Sequence, residues 1–252
     1  VAAETHVDRS IFGGDEFVRT NVLGVKRLLD WVVEHPGTRF LQVSTDEVYG
    51  DVPAPHRSTE EDGLGGSSPY AAAKTAGDLF VQAYARTYRV DASITRGSNT
   101  YGPYQFPEKV IPVFVTNALD GRPLPVYGDG QQVREMLYVD DHTAGIDLVL
   151  HEGASGEAYN VGAEVEQANI DTARRILALT GADQALLTHV PDRPGHDRRY
   201  ALDCSKIRAL GWRREVDFDE GLARTVAWYR ENRPWWEAIK AGEAYAAYEA
   251  RN

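Results

Sequence analysis

The stretch RFLQVST, residues 39 to 45, constrains the fold more than any other part of the chain. Four to five of its residues read as a strand with little polar alternation, the pattern of a parallel strand covered on both faces. Helical patterns stand on either side of it. Residues 15 to 35 repeat apolar side chains at Val18, Val22, Val25, Leu29 and Val32, a single stripe at helical spacing that Pro36 and Gly37 bring to a stop. A second helix is expected from about Pro69 to Tyr88, with Ala72, Ala76, Leu79, Phe80 and Ala83 on its apolar face, and DASITRGS follows as another strand.

Helix, strand, helix, strand in this order predicts an α/β fold with a parallel sheet wound by helices. The expected architecture is a Rossmann-like doubly wound sheet over residues 1–98, followed by a smaller mixed α/β substrate lobe over 99–252. A late strand at about 157–162, in AYNVG, returns to the sheet. Pro103, Pro107, Pro112, Pro123 and Pro125 are expected to break the chain into short elements, with longer helices again near 140–151, 169–180 and 217–232. Residues 51 to 68, rich in Pro, Gly, Ser and acids, read as a long loop. One expected part is missing, since no GxGxxG or GxxGxxG occurs. Either the fold binds no dinucleotide, or its N-terminal part has been removed.

Composition narrows the function classes. A net charge of −11 argues against nucleic acid as a partner, and it requires any anionic substrate to be held by a local group of cations. No apolar run approaches the ~18 residues that would span a membrane. Cys204 is the only cysteine, which excludes an intrachain disulfide and fits a reducing compartment. The opening VAAETHVDRS shows no targeting signal. The seven His lack HxxxH or HxH spacing, so no metal is expected, and no GxSxG elbow supports a serine nucleophile.

Two constellations carry chemistry. Tyr70 and Lys74, in YAAAK, stand one helical turn apart, where an ammonium is suited to lower a phenol from its usual pKa of ~10 towards use as a base. Asp46 and Glu47 sit side by side where the strand runs out into a turn. Neighbours in an extended segment point to opposite sides, and a turn can bend both towards one ligand.

YxxxK after a strand ending in Ser and Thr resembles the short-chain dehydrogenase/reductase superfamily. AAETHVDRS, VSTDEVYG, YGPYQFPEKVIP and DRPGHDRRYALD narrow the likeness to its dTDP-glucose 4,6-dehydratases. The resemblance covers essentially the whole chain. It implies that about two βα units with the glycine-rich turn belong before Val1, so the chain is expected to be a truncated enzyme.

The resemblance implies an NAD-dependent lyase of deoxysugar biosynthesis. Such an enzyme oxidises dTDP-glucose at C4, eliminates water across C5 and C6, and returns the hydride to C6. Asp46 is then the acid, Glu47 the base, and Thr45 and Tyr70 hold the C4 oxygen, with Lys74 beside them. Ala2, Ala3, Ser44, Tyr70 and Lys74 are the implied cofactor contacts, although the two alanines equally suit tight packing. Arg134 and Arg193, on the smaller lobe, can bind the substrate's phosphates in bidentate fashion, with His196 or Lys109 adding to them. Asn99, Lys109, Val110, Pro125, Tyr127, Arg134, Asn169, Arg193 and His196 line up with nucleotide-sugar contacts, Pro125 and Tyr127 flanking the base. His6 either borders the substrate or caps a turn, and Tyr245 either joins the site or closes the lobe. A cytoplasmic homodimer is implied through the helices 15–35 and 69–88, although their stripes also suit packing against the sheet. The alternatives are another nucleotide-sugar enzyme of the superfamily, such as an epimerase or a GDP-mannose dehydratase, and a non-catalytic binding module.

Overall fold

RFLQVST forms a strand along its whole length because a second strand pairs with every residue of it. Arg39–Thr45 and Asp91–Gly97 run parallel in register from Arg39 opposite Asp91 to Thr45 opposite Gly97, and Ala158–Val161 adds to the far side of the second strand. The computed structural model describes residues 2–242 and Tyr245. Its elements in chain order are α1 (Val7–Phe12), α2 (Asp15–Val18), a π-helical stretch Arg19–Gly24, α3 (Val25–Glu34), β1 (Arg39–Thr45), a 3₁₀ turn Asp46–Tyr49, α4 (Pro69–Tyr88), β2 (Asp91–Gly97), β3 (Asn99–Tyr101), α5 (Val110–Leu119), β4 (Leu124–Tyr127), β5 (Val133–Tyr138), α6 (Val139–Glu152), β6 (Ala158–Val161), β7 (Glu166–Ala168), α7 (Asn169–Thr180), β8 (Leu187–Val190), α8 (Ser205–Ala209), α9 (Phe218–Glu231) and α10 (Arg233–Lys240).

The chain divides into two units. The first takes residues up to Thr100, Val133–Glu166 and Arg193–Glu215; the second takes Tyr101–Gln132, Gln167–Asp192 and the chain from Val216. In the first unit both faces of the sheet β1-β2-β6 are covered, as the apolar run of β1 required. Phe40, Ala92 and Ile94 pack with Val25, Leu29 and Val32 of α3 and Val81 and Tyr84 of α4, whereas Leu41 and Val161 pack with Val149 of α6, Ile207 of α8 and Trp212. This is the α/β, parallel, doubly covered sheet expected from the sequence.

The second unit is built on α5, α7, α9 and α10 with the parallel pair β4 and β8. Its core holds Phe114, Val115, Ile176, Leu177, Leu222, Val226 and Trp236. Pro112 does not break the chain here. It sits in the first turn of α5, where a backbone N–H has no helical partner in any case, so the ring costs nothing.

Two other expectations are corrected. The stripe over residues 15–35 is interrupted, because the π-helical stretch adds a residue to one turn and rotates what precedes it. Val25, Leu29 and Val32 stay buried, but Val18 is 50% exposed, and Phe17 and Asn21 are buried in its place. The boundaries of α4 match the expected helix, with Ser68 Oγ accepting from Ala71 N as the cap, yet the buried face is the other one. Tyr70, Ala71, Ala73, Lys74, Gly77, Asp78, Val81 and Tyr84 face inwards, and the expected face Ala72, Ala76, Leu79, Phe80, Ala83 is exposed or only half-buried.

Gly77 explains how closely α4 can approach. A Cβ there would stand 2.8 Å from the Asn21 carbonyl oxygen and 3.2 Å from Gln42 Nε2. Gly77→Ala ordinarily favours a helix by ~1 kcal/mol. Here it should destabilise by ~1–3 kcal/mol through overpacking, read as a lower melting temperature, and a higher one would show that the contact yields.

Candidate active site

The end of β1 leads directly into a buried turn. Thr45 occupies its N-cap position: its Oγ1 accepts from Glu47 N at 3.3 Å and donates to Asp46 Oδ1 at 3.2 Å. Asp46, Glu47, Val48 and Tyr49 are all buried. The turn closes at Gly50, whose φ of +75° suits glycine and where a Cβ would lie 2.5 Å from Gly65 O. Gly65 N in turn donates to Val48 O at 2.8 Å.

Burial determines the electrostatics of the turn. Asp46 is 2% exposed, and loss of water pushes its carboxyl well above the usual range. The charge of Glu47 pushes the same way, while Arg134 opposes it. Asp46 Oδ2 is buried and has no protein partner among the described residues. Oδ1 takes the Thr45 hydroxyl, so Oδ2 is the oxygen left to carry a proton. The charge of Glu47 is felt by Tyr70, Arg193 and Tyr200 alike.

Tyr70 is held at the start of α4, its backbone N–H donating to Ser10 Oγ at 3.1 Å, and its phenol hydrogen-bonds the Thr45 side chain. Burial, then the charge of Glu47, pushes the phenol up. This corrects the expectation that Lys74 lowers it. The two share a helix face, but Lys74 Nζ donates to the Val43 carbonyl of β1 at 2.6 Å, and the charges that act on the phenol are those of Glu47, Asp46 and Asp78. Lys74 itself is 4% exposed, and burial lowers its pKa against the pull of Asp78. An ammonium has three donors, and among the described residues the other two have no protein partner.

A second set of buried groups lies behind this cluster, and the sequence reading missed it. Asp78, one turn beyond Lys74, accepts from Arg96 Nε at 3.0 Å; Arg96 Nη1 donates to Tyr49 Oη at 2.9 Å; Tyr49 Oη donates to Asn160 Oδ1 at 2.8 Å. Arg96 within DASITRG, a strand expected to be covered on both faces, was the signal available, because a fully buried Arg requires a partner.

The remaining first-unit candidates are placed as follows. Ser44 is buried on β1, opposite Arg96 of β2. Arg134 stacks 4.2 Å from the Tyr200 ring centroid and donates to Val133 O at 2.8 Å and Asp197 O at 2.9 Å. Arg193 pairs with Asp8 at 2.9 Å. Asn99 Oδ1 is buried without a protein partner among the described residues. His196 is half-buried in irregular chain just after the turn at Gly195. His6 stands at the N-cap position of α1 but its side chain makes no capping bond, so capping is not what it does. Ala2 and Ala3 lie in irregular chain, Ala2 exposed and Ala3 half-buried.

In the second unit, Lys109 is the N-cap residue of α5, Val110 its first residue, Pro125 and Tyr127 lie on β4, and Asn169 begins α7. Helix α5 packs on both α7 and β4, so these positions gather in one part of that unit. Asn169 Oδ1 is buried without a protein partner among the described residues. Tyr245 is buried, with Lys240 Nζ 5.5 Å from its ring centroid.

The chain matches the model of the GDP-mannose 4,6 dehydratase family over residues 1–225. It is 51% identical to a dTDP-glucose 4,6-dehydratase of Streptomyces niveus, over 95% of this chain and 71% of that one. Among solved structures, the dTDP-glucose 4,6-dehydratase of Streptomyces venezuelae with NAD bound matches with a TM-score of 0.93 and 53% identity, over 95% of this chain and 74% of that chain. A UDP-glucose 4-epimerase of Thermus thermophilus in complex with NAD matches with a TM-score of 0.87 at 30% identity, over 92% and 76% of the two chains.

The raised pKa of Asp46 has a consequence for stability. With a folded-state pKa above the unfolded one, the contribution is favourable below the unfolded pKa and is lost as pH rises through the folded value. Asp46→Asn removes that loss. Thermal unfolding followed over pH should show the variant gaining on the parent from mildly acidic to alkaline conditions, and a constant difference would mean that Asp46 titrates as an ordinary carboxyl.

Proposed function

Because this chain belongs to the GDP-mannose 4,6 dehydratase family, we propose that it acts as a dTDP-glucose 4,6-dehydratase, an NAD-dependent hydro-lyase that forms dTDP-4-keto-6-deoxyglucose and water. The observation that carries the reading is the buried Asp46 beside Glu47: burial pushes its carboxyl well above the usual range, towards keeping its proton, and its Oδ2 has no protein partner among the described residues. Elimination from a hexose needs an acid and a base at once, on adjacent carbons. Glu47 takes the proton from C5; Asp46 gives its proton to the C6 hydroxyl, which leaves as water as the C5–C6 double bond forms. An epimerase leaves the C6 hydroxyl in place and has no use for a protonated Asp46.

Thr45 and Tyr70 hold the C4 oxygen, and Tyr70 takes its proton when C4 is oxidised. To take that proton Tyr70 must first have released its own to solvent as a phenolate; burial and the acids beside it oppose this in the free chain, and the positive charge of bound NAD together with the Lys74 ammonium would favour it. NAD, when bound, supplies the acceptor that takes a hydride and later returns it. The two open donors of the buried Lys74 fit the hydroxyls of a ribose, and Ser44, Ala2 and Ala3 complete the proposed contacts. For the nucleotide sugar, the proposed contacts are His6, Asn99, Arg134, Arg193 and His196 in the first unit. In the second they are Lys109, Val110, Pro125, Tyr127, Asn169 and Tyr245. The open carboxamide oxygens of Asn99 and Asn169 support this, since each is a buried acceptor awaiting a donor.

The proposed partner is a second copy. Val18, Leu23, Leu28, Trp31, Leu79 and Tyr88, all on α2, the π-helical stretch, α3 and α4, are between 49% and 56% exposed. These helices leave that apolar surface for the second copy to cover. No described helix is long and apolar enough to cross a membrane, and we place the enzyme in the cytoplasm, where its lone buried thiol stays reduced.

The full-length gene product, given NAD and a panel of nucleotide sugars, should form the alkali-absorbing ketone from dTDP-glucose; a preference for GDP-mannose, or no ketone, overturns the reading. Asp46→Asn should cut product formation by ~10²–10⁴-fold and trap reduced cofactor, whereas Tyr70→Phe should stop the oxidation itself. Sedimentation should give a dimer, and Trp31→Glu with Leu79→Glu a monomer; a parent that sediments as a monomer removes the second copy.

A further inference from the structure

We infer that Asp78, Arg96 and Tyr49 form a positioning relay that holds the turn Asp46–Tyr49 in register with the helix carrying Tyr70 and Lys74. The inference rests on the dehydratase reading above and concerns how its two acids are kept in place.

The relay is continuous and dry. Asp78 is 0%, Arg96 1%, Tyr49 8% and Asn160 0% exposed, and each link is between 2.8 and 3.0 Å. Arg96 joins the two ends by using different arms of one rigid fork, Nε towards α4 and Nη1 towards the turn, with its Cζ 5.1 Å from the Tyr49 ring centroid. The far end is anchored as well, because Asn160 Nδ2 donates to Ser58 O at 2.8 Å and Asp203 O at 3.2 Å. Burial raises the Tyr49 phenol to about 12, so it stays a neutral donor to Asn160 while accepting from Arg96.

Stability gives no reason for such an arrangement. A buried ion pair roughly offsets its own desolvation, and apolar residues of like size often serve as well or better. Position does give one. Tyr49 is three residues from Asp46, on the same side of a 3₁₀ turn, so a shift of its hydroxyl carries the carboxyl with it. Helix α4 keeps separate ties, through Lys74 to Val43 O and Tyr70 N to Ser10 Oγ. Loosening the relay at Tyr49 therefore moves the acids more than it moves Tyr70 and Lys74. The prediction is selective: elimination slows while oxidation at C4 persists.

Tyr49→Phe in the full-length protein removes one oxygen and keeps the ring. With dTDP-glucose and NAD, kcat should fall ~10–100-fold, the scale for a misplaced catalytic group. KM should change little. Reduced cofactor, absent at steady state in the parent, should accumulate in the stopped-flow trace. Arg96→Lys keeps a cation for Asp78 but lacks the second arm; it should show the same accumulation and carries the test if Tyr49→Phe does not fold. The double variant should be no slower than the slower single, because both cut one path. If the parent turns over and either folded variant keeps the parental balance between oxidation and elimination, the relay is overturned; if the parent makes no ketone, it is the dehydratase reading that has failed.

Discussion

Removal of water from the carboxyl end of one parallel sheet is the constraint on which the rest of this structure depends. Asp46, Glu47, Tyr70, Lys74 and Asp78 all lie there, each less than a tenth exposed. In water, Asp46 would be an ordinary carboxylate. Burial pushes its carboxyl well above the usual carboxylate range, raises the Tyr70 phenol and lowers the Lys74 ammonium from its usual value. Fold and chemistry are coupled through this point, since a cluster of this kind can be kept dry only where helices cover both faces of a sheet and a turn caps its end.

Keeping so many polar groups out of water is costly unless each finds a partner. The chain meets that need mostly with backbone and remote side chains. Thr45 serves Asp46 and the Glu47 amide, Val43 O serves Lys74, and Arg96 serves both Asp78 and Tyr49. What is left unmatched is as informative as what is matched. Among the described residues, Asp46 Oδ2 and two donors of Lys74 have no protein partner in the first unit, and Asn169 Oδ1 has none in the second.

Helix α4 shows how far local pattern can mislead. Its most regular apolar stripe, Ala72, Ala76, Leu79, Phe80 and Ala83, turned out to be the outer face, and its inner face carries a phenol, an ammonium, a carboxylate and a glycine. Hydrophobic periodicity assumes that what is buried is apolar. Where a face is buried against a cluster of polar groups, polar residues take the inner positions and apolar ones can be left outside. The π-helical stretch adds a second departure, as one extra residue in a turn moves Phe17 and Asn21 inward and Val18 out.

The sequence by itself determined the parallel strand β1, the start and end of α4, the adjacency of Asp46 and Glu47, and the Tyr70–Lys74 spacing. All of these are local, set by side-chain size, capping and residue count over a few positions. Only the tertiary structure decided which face of α4 is inside, that Lys74 turns to Val43 rather than to Tyr70, and that Arg134 and Arg193 already have partners in the first unit. It also decided that Tyr49, Asp78, Arg96 and Asn160 meet. Those outcomes depend on partners 18 to 185 residues away in the chain, and burial, which sets proton occupancy, is a property of the assembled sheet and not of any segment of it.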